Sequence, residues 1–264
     1  MYEFLSPATC AEAIELLKEK KNLRILAGGT DLIIALRTGV LQCDYLMDIK
    51  EIPELRKIAM TDAGLEVGAA VCLGEMIESG LLQGYFAALG QSADSVANVL
   101  LRNRATMAGN ICNASPVGDM LPSALVCGGL LHTMAPSGER IIPLREFFTG
   151  VKKHVLAADE MVVKTVFPVA EGHSAFRKKK RIRGHDLAQA SVAASLSGGV
   201  LKIAFGAAAP TPVLAELDPA LPRDEIIEKA MGIVSPISDV RSSKEYRLAM
   251  LRYLAAEVLE EVFA

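Results

Sequence analysis

A short apolar segment that runs directly into two adjacent glycines constrains the fold of this 264-residue chain more than any other feature. Arg24 to Ala27 is typical of a strand, Gly28 and Gly29 form a turn, and Leu32 to Arg37 predicts a helix. Adjacent glycines let the backbone come close to an anion, and the N-terminus of a helix points free N–H groups at it. By itself, the pattern favours an ordinary tight turn between a strand and a helix.

The elements around this junction alternate between helix and strand. Thr9 and Glu12 form a capping-box pattern that begins an apolar helical face, and Asp44 to Ile49 is typical of a strand. The pattern changes from about residue 52. Leu65 to Ala69 alternates like a half-buried strand, and the Ala- and Leu-rich stretch Gly84 to Leu101 predicts a helix.

A third region begins near residue 168. The elements predicted in it are a strand at Ser174–Arg183, a hairpin of Leu187–Leu196 and Val200–Ala207, and helices at Asp224–Met231 and Lys244–Val262. The hairpin prediction rests on Ser197-Gly198-Gly199 between its strands. The Pro-rich stretch Pro210–Pro222 predicts an irregular connection.

A second segment with candidate binding residues spans Arg102 to Asp119. It is dense in Asn, Gly, Ser and Pro, which predicts a loop or a series of turns. Ordered loops of this length are usually functional. Its small residues would expose backbone amides, and Asn110 and Asp119 offer polar contacts, although the residues alone slightly favour an ordinary surface loop.

Composition and motifs exclude several classes of protein. Disorder is excluded because 51% of the residues are hydrophobic and the net charge is only −3. The longest uncharged stretch, Met120 to Gly138, is interrupted by Pro and Gly, so it predicts no membrane span. Glu3 replaces the basic start of a secretory signal, and we expect a cytoplasmic protein. The five cysteines include no close pair, which predicts that the chain holds no metal.

Taken together, the two segments resemble the FAD-binding medium subunit of the molybdenum hydroxylases, the family of xanthine dehydrogenase and carbon monoxide dehydrogenase. That family carries an AGG-type loop near its N-terminus and a TxGGN loop further along. The corresponding segments are LAGGTDLI, Leu26 to Ile33, and ATMAGNICNASPVGD, Ala105 to Asp119. The resemblance covers essentially the whole chain.

The resemblance implies an α+β fold. Two lobes, at about residues 1–52 and 53–168, would form a FAD-binding domain of the vanillyl-alcohol oxidase and p-cresol methylhydroxylase type. Residues 169–264 would form a C-terminal α+β domain that leans over the flavin.

The resemblance also implies a set of cofactor-binding residues. The group expected to cradle the pyrophosphate is Ile25, Leu26, Ala27, Gly28, Gly29, Thr30, Asp31 and Leu32. The group expected to line the flavin and phosphate side is Ala105, Thr106, Gly109, Asn110 and Ile111. Asp119 is expected to contact a sugar or ribityl hydroxyl, and Val162 and Lys178 complete the set. Ala108 replaces the first glycine of the family's GG pair, at a cost of about 1 kcal/mol if that position needs a positive φ.

The function implied is electron transfer. The partners would be a molybdopterin-binding large subunit and a [2Fe–2S] small subunit, and electrons would pass from iron–sulfur clusters to FAD and then to NAD or another acceptor. No catalytic acid or base is assigned. The alternatives are a stand-alone flavin oxidoreductase and a non-catalytic module that binds a ligand or nucleic acid. The basic run Arg177 to Arg183 could bind nucleic acid. Because the chain is acidic overall, the sequence instead favours a solvated strand, or contacts with the flavin and a nicotinamide.

Overall fold

The computed structural model describes residues 2–182 and 184–264. The first fifty residues build a three-stranded parallel sheet with the order β1-β3-β2. Its elements are β1 (Glu3–Leu5), α1 (Cys10–Glu19), β2 (Leu23–Leu26), α2 (Leu32–Arg37) and β3 (Tyr45–Asp48). The predicted capping residue is confirmed, since the Thr9 side chain accepts a hydrogen bond from the Glu12 amide at the start of α1.

A second, five-stranded antiparallel sheet follows, with the order β4-β5-β10-β6-β7. Its strands are β4 (Ile58–Thr61), β5 (Gly64–Gly68), β6 (Leu130–Ala135), β7 (Gly138–Pro143) and β10 (Met161–Phe167), and the small hairpin β8 (Phe148–Gly150) and β9 (Lys153–His154) lies between β7 and β10 in the chain. The helices inserted after β5 are α3 (Leu73–Glu78), α4 (Ala87–Ser95), α5 (Val99–Arg102), α6 (Met107–Asn113) and α7 (Met120–Val126).

A four-stranded antiparallel sheet in sequential order begins the last third of the chain. Its strands are β11 (His173–Lys179), β12 (Ala190–Ser197), β13 (Val200–Gly206) and β14 (Val213–Leu217), followed by α8 (Arg223–Met231) and α9 (Lys244–Val262). The predicted hairpin is confirmed: Gly198 and Gly199 both have positive φ, as a two-residue type I′ turn requires. The predicted end of the first strand, at Arg183, lies outside the described residues.

Two hydrophobic clusters fill the interior. One joins α1 with the five-stranded sheet and with α3, α4, α6 and α7, and the other joins the four-stranded sheet with α8 and α9. No helix among the described residues is long and apolar enough to cross a membrane. The division of the chain near residue 168 stays a prediction.

Three expectations about secondary structure are wrong. The single helix expected over Gly84–Leu101 is broken into α4 and α5, because Ala97 takes a left-handed backbone with φ +46°. The stretch Arg102–Asp119 is not all loop, since it contains α6. The connection Pro210–Pro222 contains β14, which pairs with β13 along its whole length.

Candidate cofactor site

The two glycine-containing segments lie against each other. A Cβ added to Gly28 would stand 2.1 Å from the carbonyl oxygen of Arg104 and 2.9 Å from the Cα of Ala105. Gly28 therefore has no room for a side chain, because the backbones of the first segment, residues 26–33, and the second segment, residues 105–119, pack directly together. Arg104 was missed by the sequence reasoning, since a contact made through a backbone carbonyl leaves no signal in residue type.

The first segment presents a run of free backbone amides. Among the described residues, the N–H groups from Gly28 to Leu32 donate to no protein acceptor. Gly29 makes the turn with φ +74°, and its carbonyl accepts from the amide of Ile33 inside α2. Asp31 stands at the N-cap position of α2 with its side chain exposed and making no capping hydrogen bond. Free amides at the start of a helix make this edge suited to an anionic ligand.

The remaining residues of the first segment support the turn. Leu26 is buried at the end of β2, and its Cδ1 would stand 2.8 Å from a Cβ on Gly29. Ile25, Ala27, Thr30 and Leu32 are half-buried, so each keeps some surface that a ligand can reach.

The second segment begins with a capped helical turn. The Thr106 hydroxyl accepts a hydrogen bond of 2.9 Å from the amide of Gly109, and the carbonyl of Ala105 accepts from the amide of Leu73 at 2.8 Å. Ala108 lies in α6 with an ordinary helical backbone, outside the positive-φ set. The expected cost of a left-handed alanine at this position is therefore absent.

Two of the predicted residues are core residues. Ile111 in α6 and Val162 in β10 are 0% and 5% exposed and pack in the same hydrophobic cluster. Their side chains present almost no surface, so any contact with a ligand would be made through the backbone.

Asn110 and Asp119 connect α6 to α7. Asn110 Oδ1 accepts a hydrogen bond of 3.3 Å from the amide of Met120, the first residue of α7. Asp119 is buried, and its Oδ2 accepts a hydrogen bond of 2.5 Å from Nζ of Lys178 on β11. The other carboxylate oxygen, Oδ1, is enclosed and has no partner. Burial raises the pKa of Asp119, and the Lys178 ammonium opposes that rise.

Three side chains of the basic run are paired with carboxylates within the protein. Arg177 pairs with Glu261 at 2.5 Å, Lys178 pairs with Asp119, and Arg181 pairs with Asp186. Arg183 lies outside the described residues. Because carboxylates take up these three charges, the run offers less free positive charge to a nucleic acid than its sequence suggests. Within the described residues, no cluster of three or more His, Cys, Asp or Glu side chains could hold a metal ion.

Comparisons with known proteins agree with this geometry. The family described as "FAD binding domain in molybdopterin dehydrogenase" matches residues 1–170. The xanthine dehydrogenase FAD-binding subunit of Escherichia coli O157:H7 is 32% identical over 288 residues, covering 100% of this chain and 98% of that subunit. The xanthine dehydrogenase/oxidase of Gallus gallus is 27% identical over 232 residues, which cover 80% of this chain but 17% of that protein.

The fold is also that of a solved relative. A chain of the carbon monoxide dehydrogenase from Hydrogenophaga pseudoflava, in a structure that lacks the Mo-pyranopterin moiety, superposes with a TM-score of 0.92 at 27% identity, covering 99% of this chain and 97% of that one. The match extends from the first sheet to α9 and confirms the predicted α+β FAD-binding fold. The chain belongs to the family of FAD-binding domains of molybdopterin dehydrogenases.

Proposed function

We propose that this chain is the electron-transfer flavoprotein subunit of a molybdenum hydroxylase. The observation that carries the proposal is the direct contact between the two segments, with Gly28 against Arg104 and Ala105. This contact places the free amides of the first segment beside the small residues of the second. A dinucleotide needs both features, because its pyrophosphate requires donors and its rings require close approach of the backbone.

The residues present fit an FAD. The amides from Gly28 to Leu32 would hold the pyrophosphate, and the turn around Thr106 and Gly109 would face the flavin side. The unpartnered Oδ1 of Asp119 is an acceptor of the kind that a ribityl or sugar hydroxyl can satisfy. Ile111 and Val162 would contribute through their backbone or by supporting the site from the core.

A comparison with the lengths of two relatives supports the assignment of this chain to a multi-subunit enzyme. The chain spans 98% of the E. coli subunit but corresponds to only 17% of the longer Gallus gallus protein. We infer that other chains supply the remaining functions of such a protein, as is the case for the E. coli enzyme, whose FAD-binding part is a separate subunit. We assign them to a molybdopterin-binding large subunit and a [2Fe–2S] small subunit, in the cytoplasm.

When bound, FAD supplies the redox chemistry. The residues of this chain bind the cofactor, orient it between the segments and hold a buried carboxylate beside it. No acid or base of the chain is assigned to the reaction. NAD or another acceptor would take the electrons.

Purification of the chain tests the cofactor assignment. We expect a yellow protein with about one FAD per chain, measured by absorbance after the flavin is released. A colourless protein that takes up no FAD in a titration would contradict the proposal and favour a non-catalytic binding module.

Affinity purification from the native host tests the assignment of partners. We expect molybdenum and iron to co-purify with the tagged chain, as measured by elemental analysis, and the complex to reduce NAD or an artificial acceptor. A flavin-loaded chain that purifies without either metal would instead be a stand-alone flavin oxidoreductase.

A further inference from the structure

The last two helices leave a groove between them on the surface. The side of α9 opposite its buried residues carries a stripe, spaced by three and four residues, that consists of Tyr246, Ala249, Tyr253 and Ala256. Ala249, Tyr253 and Ala256 line a groove of about 430 Å³ together with Ile227 of α8. This outer stripe, Tyr246 to Ala256, therefore forms one side of an open groove with an apolar floor.

Two tyrosines give the outer stripe the character of a binding surface. Tyr246 and Tyr253 are 39% and 56% exposed and lie two turns apart on the same face of α9. The Tyr253 hydroxyl donates a hydrogen bond of 2.7 Å to the Glu257 carboxylate, which restricts the motion of its ring. Tyrosines are enriched at the centres of protein interfaces, and the alanines between them leave room for the backbone of a partner to come close.

The rim of the groove is acidic. Asp224 lines it from α8, and Glu257 stands beside it on α9. Within the described parts of the chain neither carboxylate forms an ion pair, whereas Glu228 is paired with Arg252 across the groove. The groove thus offers two carboxylates to a positively charged partner.

The cations of α8 do not neutralise this rim. Lys229 pairs with Glu225 at 2.9 Å, and the guanidinium of Arg223 stands 5.3 Å from the centre of the Phe263 ring. A second copy of this chain would bring its own acidic rim against the first, and like charges across an interface are unfavourable. The charges therefore favour a basic partner over self-association.

The groove lies on the far side of the four-stranded sheet from α7. Ala193 and Ala204 of this sheet pack in the cluster that contains α7, whereas Val192 and Ile203 pack in the cluster that contains α8 and α9. The sheet therefore separates the groove from the second cofactor-binding segment, which leads into α7. A partner in the groove would leave FAD binding unchanged.

We propose that this groove docks a basic amphipathic helix of a partner subunit. That helix would lay an apolar stripe along the outer stripe of α9 and place Lys or Arg side chains opposite Asp224 and Glu257. The outer stripe covers three turns, about 15 Å, which is enough for a helix of about ten residues to lie along it. The inference rests on the proposed function, because the partner belongs to the same enzyme, and deepens it by giving that partner a contact on this chain.

The test measures molybdenum and iron per chain, and FAD per chain, after affinity purification of the tagged full-length chain from its native host. Ala249→Arg puts a bulky cation on the groove floor, and Asp224→Lys reverses a charge on its rim. Ala11→Arg and Glu19→Lys are the matched controls, because they make the same kinds of change at exposed positions of α1. Thermal unfolding of each variant reports folding separately.

We expect the two groove variants to retain about tenfold less of one or both metals than their controls, with FAD per chain and unfolding temperature unchanged. Wild-type retention should fall when the wash is raised from about 0.1 M to about 1 M NaCl, because salt screens the charges at the rim.

Metal retention equal to the controls in both groove variants, or wild-type retention that salt does not change, would overturn the inference. A dimer of the isolated chain that Ala249→Arg dissociates, measured by light scattering, would also overturn it, because the occupant would then be a second copy. If the wild type itself retains neither metal, the proposed function fails, a result distinct from a loss confined to the groove variants.

Discussion

Substitution of Gly28 by alanine perturbs the contact on which the cofactor site depends. The added Cβ would lie 2.1 Å from the Arg104 carbonyl oxygen and 2.8 Å from its carbonyl carbon. Both obstacles are backbone atoms, so no side-chain rotation relieves the overlap. Gly28 has no positive φ, and alanine therefore adds a steric effect without backbone strain.

The magnitude follows from the distance. Real Cβ atoms essentially never stand closer than 3.0 Å to such a neighbour, so the two segments must separate by about 0.9 Å, the difference from the 2.1 Å contact. Overpacking of this kind costs about 1–3 kcal/mol. If the cost falls on cofactor binding, FAD affinity falls by about five- to hundredfold, at 1.4 kcal/mol for each factor of ten.

The assay is FAD titration of apoprotein, with thermal unfolding measured in parallel to find any share of the cost that falls on folding. Gly150→Ala is the matched control, because its Cβ would meet only the Lys153 side chain at 3.7 Å, an ordinary contact. A Gly28→Ala variant that matches the control in both FAD affinity and unfolding temperature would refute the packed contact between the segments.

Three other predictions concern neighbouring features. Asn110→Ala should lower the FAD-to-protein ratio, because the Met120 amide loses its acceptor at a cost of about 1–3 kcal/mol; an unchanged ratio would reject the role of Asn110. Glu160→Gln should destabilise the fold by about 1.5–3 kcal/mol near pH 7. Burial alone would raise the pKa of Glu160, but hydrogen bonds led by Arg140 hold it at about 2, below the ordinary 4.5. The difference in urea unfolding between wild type and variant should therefore be full above pH 4.5 and vanish as the pH falls through about 2, and a constant difference would contradict it. Leu100→Lys, at a leucine 76% exposed beside the second segment, should lower the co-purified iron and molybdenum with FAD per chain unchanged, if this apolar surface contacts a partner.

Elements whose determinants all lie within a short stretch of the chain could be predicted from the sequence. The bounds of α2 and α9 agree with the prediction, and the Ser243 side chain caps α9 by accepting a hydrogen bond from the Tyr246 amide. The hairpin turn at Gly198 and Gly199 is equally local, because glycine tolerates the positive φ that the turn requires.

Elements that depend on distant partners could not be predicted. β14 lies in a Pro-rich stretch and exists because Leu217 and Val213 pair with Leu201 and Phe205 of β13. The helix breaks between α4 and α5 at Ala97, where the sequence contains no Gly or Pro that would predict a break. The ion pair between Asp119 and Lys178 joins residues far apart in the chain, so the sequence places each near the site without showing that they meet.

The glycines of the two segments are required for different physical reasons. These reasons explain why alanine is accepted at position 108, where the family pattern has a glycine. Gly28 is required for close approach and Gly29 for its φ of +74°. Gly109 lies in the first turn of α6, where a Cβ would stand 2.9 Å from the Thr106 hydroxyl that caps its amide. Ala108 meets none of these constraints, because a helical backbone accepts alanine without strain. The departure from the family pattern at this position thus falls where glycine is dispensable, and we expect Ala108→Gly to leave FAD affinity unimproved in the same titration.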